Sequence, residues 1–294
     1  MPRILRQLIT GSAFAIFFLL GAALGWLALP VVSLFGRTPE RRKQLRMGFM
    51  HRASQLFVGY MVYGGLMRVL RDPLPENFPV EGGFVMIANH PSLLDVVHLM
   101  ALFRGLTSMA KYQMYRSPLI GPILRGTGHL CGPAPGGTRA GQTRVLDAMV
   151  EHVRSGHRLL VFPEGTRSPL RGLHRFRRGA IEAAIRAGVP LVPLFISQVP
   201  PTLMKGQRWY DVPPRRMTYR VEFFPIVETA GRELDARAVL GEVVAQYQAR
   251  CQTMLAERDA YALAHGDPPI DNPDDRAAVE RARERDPQQL TEGE

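Results

Sequence analysis

Two heptapeptides in this chain carry the side chains best suited to chemistry. Residues 89–95 read NHPSLLD, and residues 162–168 read FPEGTRS. The first offers the imidazole of His90 five positions before the carboxylate of Asp95. A carboxylate that accepts one ring N–H fixes the tautomer and stabilises the imidazolium, so the other nitrogen can take a proton from an attacking hydroxyl. This pair suits a general base and its orienting acid, and the alternative is two polar side chains that merely satisfy each other's hydrogen bonds.

The two side chains can meet only if the chain turns between them. On a continuous α-helix, Asp95 would point about 140° away from His90. The apolar run 85–88 predicts a buried strand, and Pro91 disfavours helical geometry at the residue before it. We therefore expect a strand-to-helix corner, with Ser92 as a helix-start residue rather than a nucleophile. The sequence contains no G-x-S-x-G elbow, which argues against a serine hydrolase.

The second heptapeptide supplies groups that bind anions and polyols. It follows the apolar run 159–162, so it should also emerge at a strand end, where open α/β sheets bind ligands. The guanidinium of Arg167 can hold a phosphate through two hydrogen bonds, Gly165 permits close approach of the backbone, and Glu164 can accept hydrogen bonds from a polyol. The alternative is a simple ion pair between Glu164 and Arg167 across a turn.

The charge and cysteine content of the chain limit the classes of ligand, binding partner and compartment to be expected. The chain has 37 Lys and Arg against 26 Asp and Glu, a net charge of +11, and residues 266–294 alone contribute −5. The remaining body, at +16, should be drawn to acidic lipids, phosphorylated substrates or an acyl carrier protein, with nucleic acid the weaker choice.

Cys131 and Cys251 have no His or Cys nearby at metal-ligand spacing. We therefore expect a reducing compartment, no disulfide framework and no metal site.

An apolar segment precedes both heptapeptides. Residues 8–35 contain no charged side chain, and as a straight helix they would be roughly 40 Å long, against about 30 Å for a hydrocarbon core. They can span a membrane with tilt, or Pro30 can kink the helix so that its last turns lie in the interface. The basic residues that follow, within 37–46, place the body on the cytoplasmic side. A cleaved signal peptide is the competing interpretation.

The rest of the chain predicts an α/β domain. Residues 45–71 follow a helical pattern rich in Met, aromatic and basic side chains, typical of a helix at the membrane interface or packed on a soluble domain. After a Pro-rich break at 72–75, apolar β-type runs alternate with helical stretches through residue 228, which favours a largely parallel sheet flanked by helices. We expect strands near 83–88, 106–110, 129–131, 158–162, 191–197 and 218–225, and helices near 92–103, 119–126, 141–155 and 178–187.

Four regions follow from this pattern. Residues 1–72 should form membrane-anchoring helices, and residues 73–230 the catalytic domain. Residues 231–261 should contain a C-terminal helix, from about 234, and the charged, Pro-containing tail 262–294 is expected to be disordered.

Both heptapeptides resemble motifs of the lysophospholipid acyltransferase family, whose members include 1-acylglycerol-3-phosphate acyltransferases. The family pattern N-H-x-S-x-x-D supplies a base and its orienter for direct acyl transfer from a thioester, and the F-P-E-G-T-R-S block is unaltered here. Three shorter stretches also match: Lys111 with the PLIG sequence at 118–121, FRRG at 176–179, and VPLVP at 189–193. The resemblance covers roughly residues 80–200.

The resemblance implies a membrane-bound O-acyltransferase of the cell inner membrane, with its catalytic domain facing the cytoplasm. Its catalytic residues would be His90 and Asp95. No metal, acyl-enzyme or bound cofactor is implied, because acyl-ACP or acyl-CoA enters as co-substrate. The expected partners are therefore membrane lipid and a carrier-protein or CoA thioester. The substrate-binding residues would be Lys111, Arg139, Glu164, Gly165, Thr166, Arg167, Arg177 and Arg178.

One departure from the family pattern leaves the acceptor open. Where the family carries an Arg that helps bind the acceptor phosphate, ungapped continuation places Ala134, and Arg139 is the candidate substitute from a Gly- and Pro-rich loop. A lysophospholipid acceptor is favoured. A non-glycerophosphate acceptor, such as an amino-acid lipid or a polyene, is the alternative. A third interpretation is a non-catalytic module that binds membranes or carrier protein.

Overall fold

Two long helices come first in the chain. Helix α1 spans Arg3–Leu34 and includes two π-helical stretches. Helix α2 spans Pro39–Tyr63, and Thr38 caps its N-terminus. The Thr38 hydroxyl accepts the N–H of Arg41 at 3.2 Å and so satisfies one of the free donors of the first turn. The computed structural model describes residues 2–210, 212–213 and 215–266.

Seven strands form one sheet behind these helices. They are β1 Met67–Arg71, β2 Phe84–Ala88, β3 Leu106–Ala110, β4 Leu130–Cys131, β5 Arg158–Val161, β6 Leu191–Val199 and β7 Met217–Phe223. The strand order is β1-β7-β6-β2-β5-β3-β4, and every neighbouring pair is parallel except β6 and β7. The expected α/β fold with a largely parallel sheet is confirmed.

Helices cover both faces of the sheet. They are α3 Asp95–Leu102, α4 Tyr112–Arg116, α5 Gly121–Gly126, α6 Arg139–Arg154, α7 Gly179–Ala187 and α8 Ala236–His265. Successive side chains of a strand point to opposite faces. Accordingly Val85 and Ile87 pack in a core with α6, α7 and α8, whereas Phe84 and Met86 pack in a second core with α1, α2 and α3. The central strand β2 is therefore buried on both sides.

The sheet brings distant segments to one edge. Because β2, β3, β5 and β6 run in the same direction, the residues that follow them all emerge there, starting at Asn89, Lys111, Phe162 and Pro200. Strand β7 runs the opposite way, and its early residue Tyr219 pairs with Gln198 near the end of β6. This edge is where ligands bind in open α/β sheets.

The predicted strands are present, each with ends within two residues of those expected. The predicted helix over 45–71 is wrong at its end. Helix α2 stops at Tyr63, Gly65 takes a φ of 71°, and Met67–Arg71 then forms strand β1 beside β7. One strand of the sheet, β1, therefore lies within residues 1–72, which were expected to form membrane-anchoring helices.

The helices also differ from expectation at several points. The helix expected from 92 begins at Asp95, the short helix α4 was not expected, and the C-terminal helix continues to His265. Residues 262–265 of the expected disordered tail are therefore helical, and residues 267–294 lie outside the described residues.

Helix α1 lies along the body instead of projecting from it. The Trp26 indole N–H donates to the carbonyl of Pro118 at 2.9 Å. A Cβ at Gly25 would lie 3.0 Å from the Ile123 side chain, so any other residue here would require Ile123 to shift. The outward side chains Leu19, Leu27, Val31, Leu34 and Phe35 are exposed. Within the described residues, α1 is the one helix long and apolar enough to cross a membrane, judged by length and composition.

Candidate active site

His90 and Asp95 meet at the corner that follows β2. The His90 Nδ1 lies 2.8 Å from the Asp95 Oδ2, with 17% of the imidazole side chain exposed and none of the carboxylate. The residues between them are not helical, because α3 begins at Asp95. With Nδ1 directed at the carboxylate, Nε2 is the nitrogen left to accept a proton.

Ser92 stabilises this corner through its backbone. Its N–H donates to the Asp95 Oδ2 at 2.8 Å, and its hydroxyl accepts the N–H of Leu94 at 3.2 Å. The expectation that Ser92 starts the helix is wrong by three residues. The hydroxyl is buried and engaged with the turn, which agrees with its not being a nucleophile.

Glu164 joins the two heptapeptides. Its Oε1 accepts the backbone N–H of His90 at 3.1 Å and the hydroxyl of Ser168, and its Oε2 accepts the N–H of His174 at 2.8 Å. The Ser168 N–H in turn donates to the His90 carbonyl at 2.7 Å. Burial raises the pKa of Glu164, while its hydrogen bonds with Ser168, His174 and His90 act the other way. Glu164 is only 4% exposed, so its carboxylate holds the two loops together.

The imidazole of His90 is also fixed by its ring neighbour. The Phe162 ring stacks on it, with centroids 4.0 Å apart and planes inclined by 16°. Asn89 ties the end of β2 to β6, because its amide N–H donates to the carbonyl of Ile196 at 2.8 Å and its Oδ1 accepts the N–H of Ile196 at 2.7 Å. The ring therefore has little rotational freedom at this edge of the sheet.

A group of cations lies beside this pair. Burial lowers the pKa of Lys111, and the positive charges of Arg167, Lys205 and Arg177 lower it further. Burial also lowers the pKa of Arg167, whereas the Asp95 carboxylate acts in the opposite direction. An anionic ligand at this position would relieve the mutual repulsion of these side chains.

Arg167 is held by the segment between β6 and β7. Its Nη1 donates to the carbonyls of Leu203 and Met204, each at 3.3 Å. Within the described residues no ion pair joins Arg167 to Glu164, so the simple pair considered from sequence is not formed. Both hydrogen bonds are long, which leaves the guanidinium available to a stronger acceptor.

Gly165 and Thr166 form the turn that presents Arg167. Gly165 has a φ of 67°, a conformation that favours glycine, and a Cβ there would lie 3.3 Å from the guanidinium carbon of Arg177. Thr166 is half-buried. The tight turn lets the Arg177 guanidinium approach the backbone of the second heptapeptide.

Two other predicted substrate-binding arginines lie at the N-termini of helices, since Arg178 precedes α7 and Arg139 begins α6. Arg178 is exposed and pairs with Glu182 on α7, at 3.5 Å. Arg139 is the first residue of α6 and exposed, so it lies on a helix and not in the expected loop. In the described part of the chain, neither arginine makes a hydrogen bond or ion pair with His90 or Asp95. Among the same described residues, no group of three or more His, Cys, Asp or Glu side chains could hold a metal ion.

Comparison with known proteins supports an acyltransferase. The family model described as Acyltransferase matches residues 71–197, which include both heptapeptides. The 1-acyl-sn-glycerol-3-phosphate acyltransferase alpha of Mus musculus is 26% identical over 242 residues, 79% of each chain. The 1-acyl-sn-glycerol-3-phosphate acyltransferase of Salmonella typhimurium is 35% identical over 136 residues, 45% of this chain and 54% of that protein. These matches identify an acyltransferase and support the 1-acylglycerol-3-phosphate acyltransferase-like family.

The fold of this acyltransferase has a solved counterpart. The 1-acyl-sn-glycerophosphate (LPA) acyltransferase PlsC from Thermotoga maritima superposes with a TM-score of 0.67, at 20% identity, over 86% of this chain and 97% of that chain. The matching region is larger than the segment covered by the family model.

An apolar cleft opens beside the acyltransferase site. Leu93 and Leu94, which lie between His90 and Asp95 in sequence, form one wall, and Leu203 forms another. The remaining walls come from α1, α2 and the sheet edge, through Thr10, Ala13, Phe14, Phe17, Phe57, Met61, Leu66, Met67, Thr202, Val212, Pro213 and Met217.

Sequence reasoning missed Tyr219 and His98. The Tyr219 hydroxyl donates to the Asp95 Oδ1 at 3.2 Å, and the His98 ring stacks on the Tyr219 ring with centroids 4.3 Å apart. Tyr219 stands on β7, 124 positions after Asp95, so no local spacing links the two. His98 could have been noticed as a histidine one helical turn beyond Asp95, although its partners could not.

Proposed function

We propose that this acyltransferase transfers a fatty acyl group from an acyl-ACP or acyl-CoA thioester to the hydroxyl of a lysophospholipid resembling 1-acylglycerol 3-phosphate. The main support is the 2.8 Å contact between the His90 Nδ1 and the buried Asp95 Oδ2, with the imidazole partly exposed beside a group of cations. The names of the Mus musculus and Salmonella typhimurium relatives support a glycerolipid acceptor.

In the proposed reaction, His90 acts as general base. Its Nε2 takes the proton of the acceptor hydroxyl while the hydroxyl oxygen attacks the thioester carbonyl. The tetrahedral intermediate collapses with cleavage of the carbon–sulfur bond, and the leaving thiolate takes the proton back from the imidazolium. Asp95 stabilises the imidazolium between these steps and holds the ring in its orientation. Neither a metal ion nor an acyl-enzyme takes part in this sequence.

The acceptor phosphate would bind the cations beside His90. Arg167 and Arg177 flank the Gly165 turn, and Lys111 lies close enough for its charge to interact with theirs. A phosphate would replace the two long hydrogen bonds that Arg167 makes to backbone carbonyls, because charge-assisted hydrogen bonds are stronger than neutral ones. Lys205 adds a further positive charge in this region.

The apolar cleft would receive an acyl chain. It begins at Leu93 and Leu94, directly beside the proposed base, and extends under α1 and α2. Because the outer face of α1 is exposed and apolar, we place the enzyme on the inner membrane with this helix inserted. The basic residues after α1 would keep the catalytic domain on the cytoplasmic side.

Ala134 supports the alternative acceptor. Ungapped continuation of the family pattern places Ala134 where an additional phosphate-binding Arg is expected, and Arg139 begins helix α6. An acceptor with a smaller negative charge, such as an amino-acid lipid, or with none, such as a polyene, would need fewer cations. A comparison of kcat/KM between the two classes of acceptor therefore distinguishes them.

The test uses purified protein in vesicles with acyl-ACP or acyl-CoA and a panel of acceptors. Thiol release is followed together with mass spectrometry of the lipid product. We expect acyl transfer to lysophosphatidic acid at the highest kcat/KM, loss of transfer in His90→Ala, and near-normal transfer in the control His265→Ala, whose histidine bonds Tyr261 at the end of α8. Preferred acylation of an uncharged acceptor would select the alternative, and no acylation of any acceptor would end the proposal.

A further inference from the structure

We infer that Tyr219 is a positioning residue, which holds the Asp95 carboxylate in the orientation that the base requires. Its hydroxyl donates to the Asp95 Oδ1 at 3.2 Å, while the His90 Nδ1 and the Ser92 N–H bond to the Oδ2, each at 2.8 Å. The inference rests on the proposed role of His90 as the base.

Asp95 needs donors on both oxygens because its carboxylate is completely buried. A buried carboxylate without hydrogen bonds loses its solvation energy and either rotates toward a donor or takes up a proton. The His90 ring and the Ser92 N–H occupy one oxygen. Within the described residues, the donor that the structure provides for the other oxygen is Tyr219.

The position of the Tyr219 hydroxyl is itself fixed. The residue is fully buried on β7, a strand paired with β6 on one side and β1 on the other. His98 stacks on its ring with planes inclined by 18°, and the His98 Nδ1 bonds the carbonyl of Leu94 at 2.8 Å. The phenol therefore has a rigid support on the sheet and a second one on α3.

Tyr219 remains a donor under working conditions. Burial raises its pKa well above the ordinary value, and the neighbouring Asp95 charge raises it further. Burial also lowers the pKa of His98, so that ring stays neutral and adds no competing charge beside Asp95. The charged groups that interact with the Asp95 carboxylate also include the guanidinium of Arg167.

This geometry explains why a strand beyond the family-model region contributes to the site. The matched segment ends at residue 197, and Tyr219 enters from β7 because antiparallel pairing places it next to Gln198. The carboxylate is thus oriented by its own loop on one oxygen and by a distant strand on the other.

The test compares Tyr219→Phe with Tyr247→Phe in the full chain. Tyr247 is also fully buried, but its hydroxyl bonds the carbonyls of Ile87 and Leu194 instead of Asp95. We expect Tyr219→Phe to lower kcat by about 10- to 100-fold, the effect of one hydrogen bond to a charged group, with both KM values within about twofold. Tyr247→Phe should lower the unfolding temperature and leave kcat within about twofold.

The unfolding temperature is measured on the same preparations, so a folding defect is recognised as such. Tyr219→Met, which also removes the donor, repeats the test if the Phe variant is not recovered. A normal kcat in a folded donor-free variant would overturn the inference, and so would a loss of kcat matched by Tyr247→Phe. If the unaltered chain acylates no acceptor, the proposed function itself fails, which is a different result.

Discussion

The exchange Glu164→Gln separates two roles for this side chain. Sequence suggested that Glu164 contacts a polyol acceptor, whereas the structure surrounds its carboxylate with the His90 N–H, the Ser168 hydroxyl and the His174 N–H. A glutamine of the same shape keeps one oxygen as acceptor and turns an NH₂ group toward a donor. One charge-assisted hydrogen bond is lost and replaced by a donor–donor contact.

The expected cost is about 2 kcal/mol of stability, from roughly 1.5–3 kcal/mol for a hydrogen bond to a charged group. For a domain of this size that corresponds to a fall of about 4–8 °C in unfolding temperature. Because the loosened contact includes the backbone of His90, kcat should fall while the acceptor KM changes little. Differential scanning fluorimetry and steady-state thiol release measure the two effects on one preparation.

Glu182→Gln is the matched control for this exchange. Glu182 pairs with Arg178 and Arg186 on the surface of α7, and surface pairs contribute about 0–1 kcal/mol. Its removal should therefore leave both the unfolding temperature and kcat nearly unchanged. An unaltered unfolding temperature in Glu164→Gln, together with a large rise in acceptor KM, would refute the view that Glu164 holds the two loops together. It would instead support Glu164 as a ligand of the acceptor.

Two further predictions concern buried groups outside the heptapeptides. The Arg258 guanidinium, on α8, donates to the carbonyl of Leu170 at 2.7 Å. Arg258→Met should therefore release the loop that carries Arg167 and raise the acceptor KM about 10-fold. An unchanged KM would show that this loop does not depend on α8. Burial lowers the pKa of His129 to about 4, so below pH 6.5 the unfolded chain binds a proton that the folded chain does not. Stability should therefore fall between about pH 6.5 and pH 4, and His129→Asn should reduce this dependence in melts recorded against pH; an unaltered slope would contradict the assignment.

Local patterns were sufficient to predict the segments that carry the heptapeptides. The apolar runs 85–88 and 159–162 are short and end at turn residues, so both strands were placed almost correctly. The meeting of His90 with Asp95 also followed from local geometry, because a proline after the histidine favours a corner over a helix.

Strand β1 could not be predicted in the same way. Met67–Arg71 continues the Met- and Arg-containing pattern of α2, and its strand conformation depends on pairing with Met217–Val221, about 150 residues later. The Tyr219 contact has the same non-local origin. The role of Glu164 was also hidden, since its partners include a backbone N–H that only the assembled sheet brings into reach.

The most direct test of the central claim is the turnover of His90→Gln, measured as acceptor-dependent release of thiol from an acyl thioester by folded, vesicle-bound protein. The account predicts a fall in kcat of roughly 10²- to 10⁴-fold, the usual contribution of a general base, with vesicle binding and unfolding temperature unchanged. A His90→Gln protein that releases thiol and acylates lipid at the rate of the unaltered chain would contradict it.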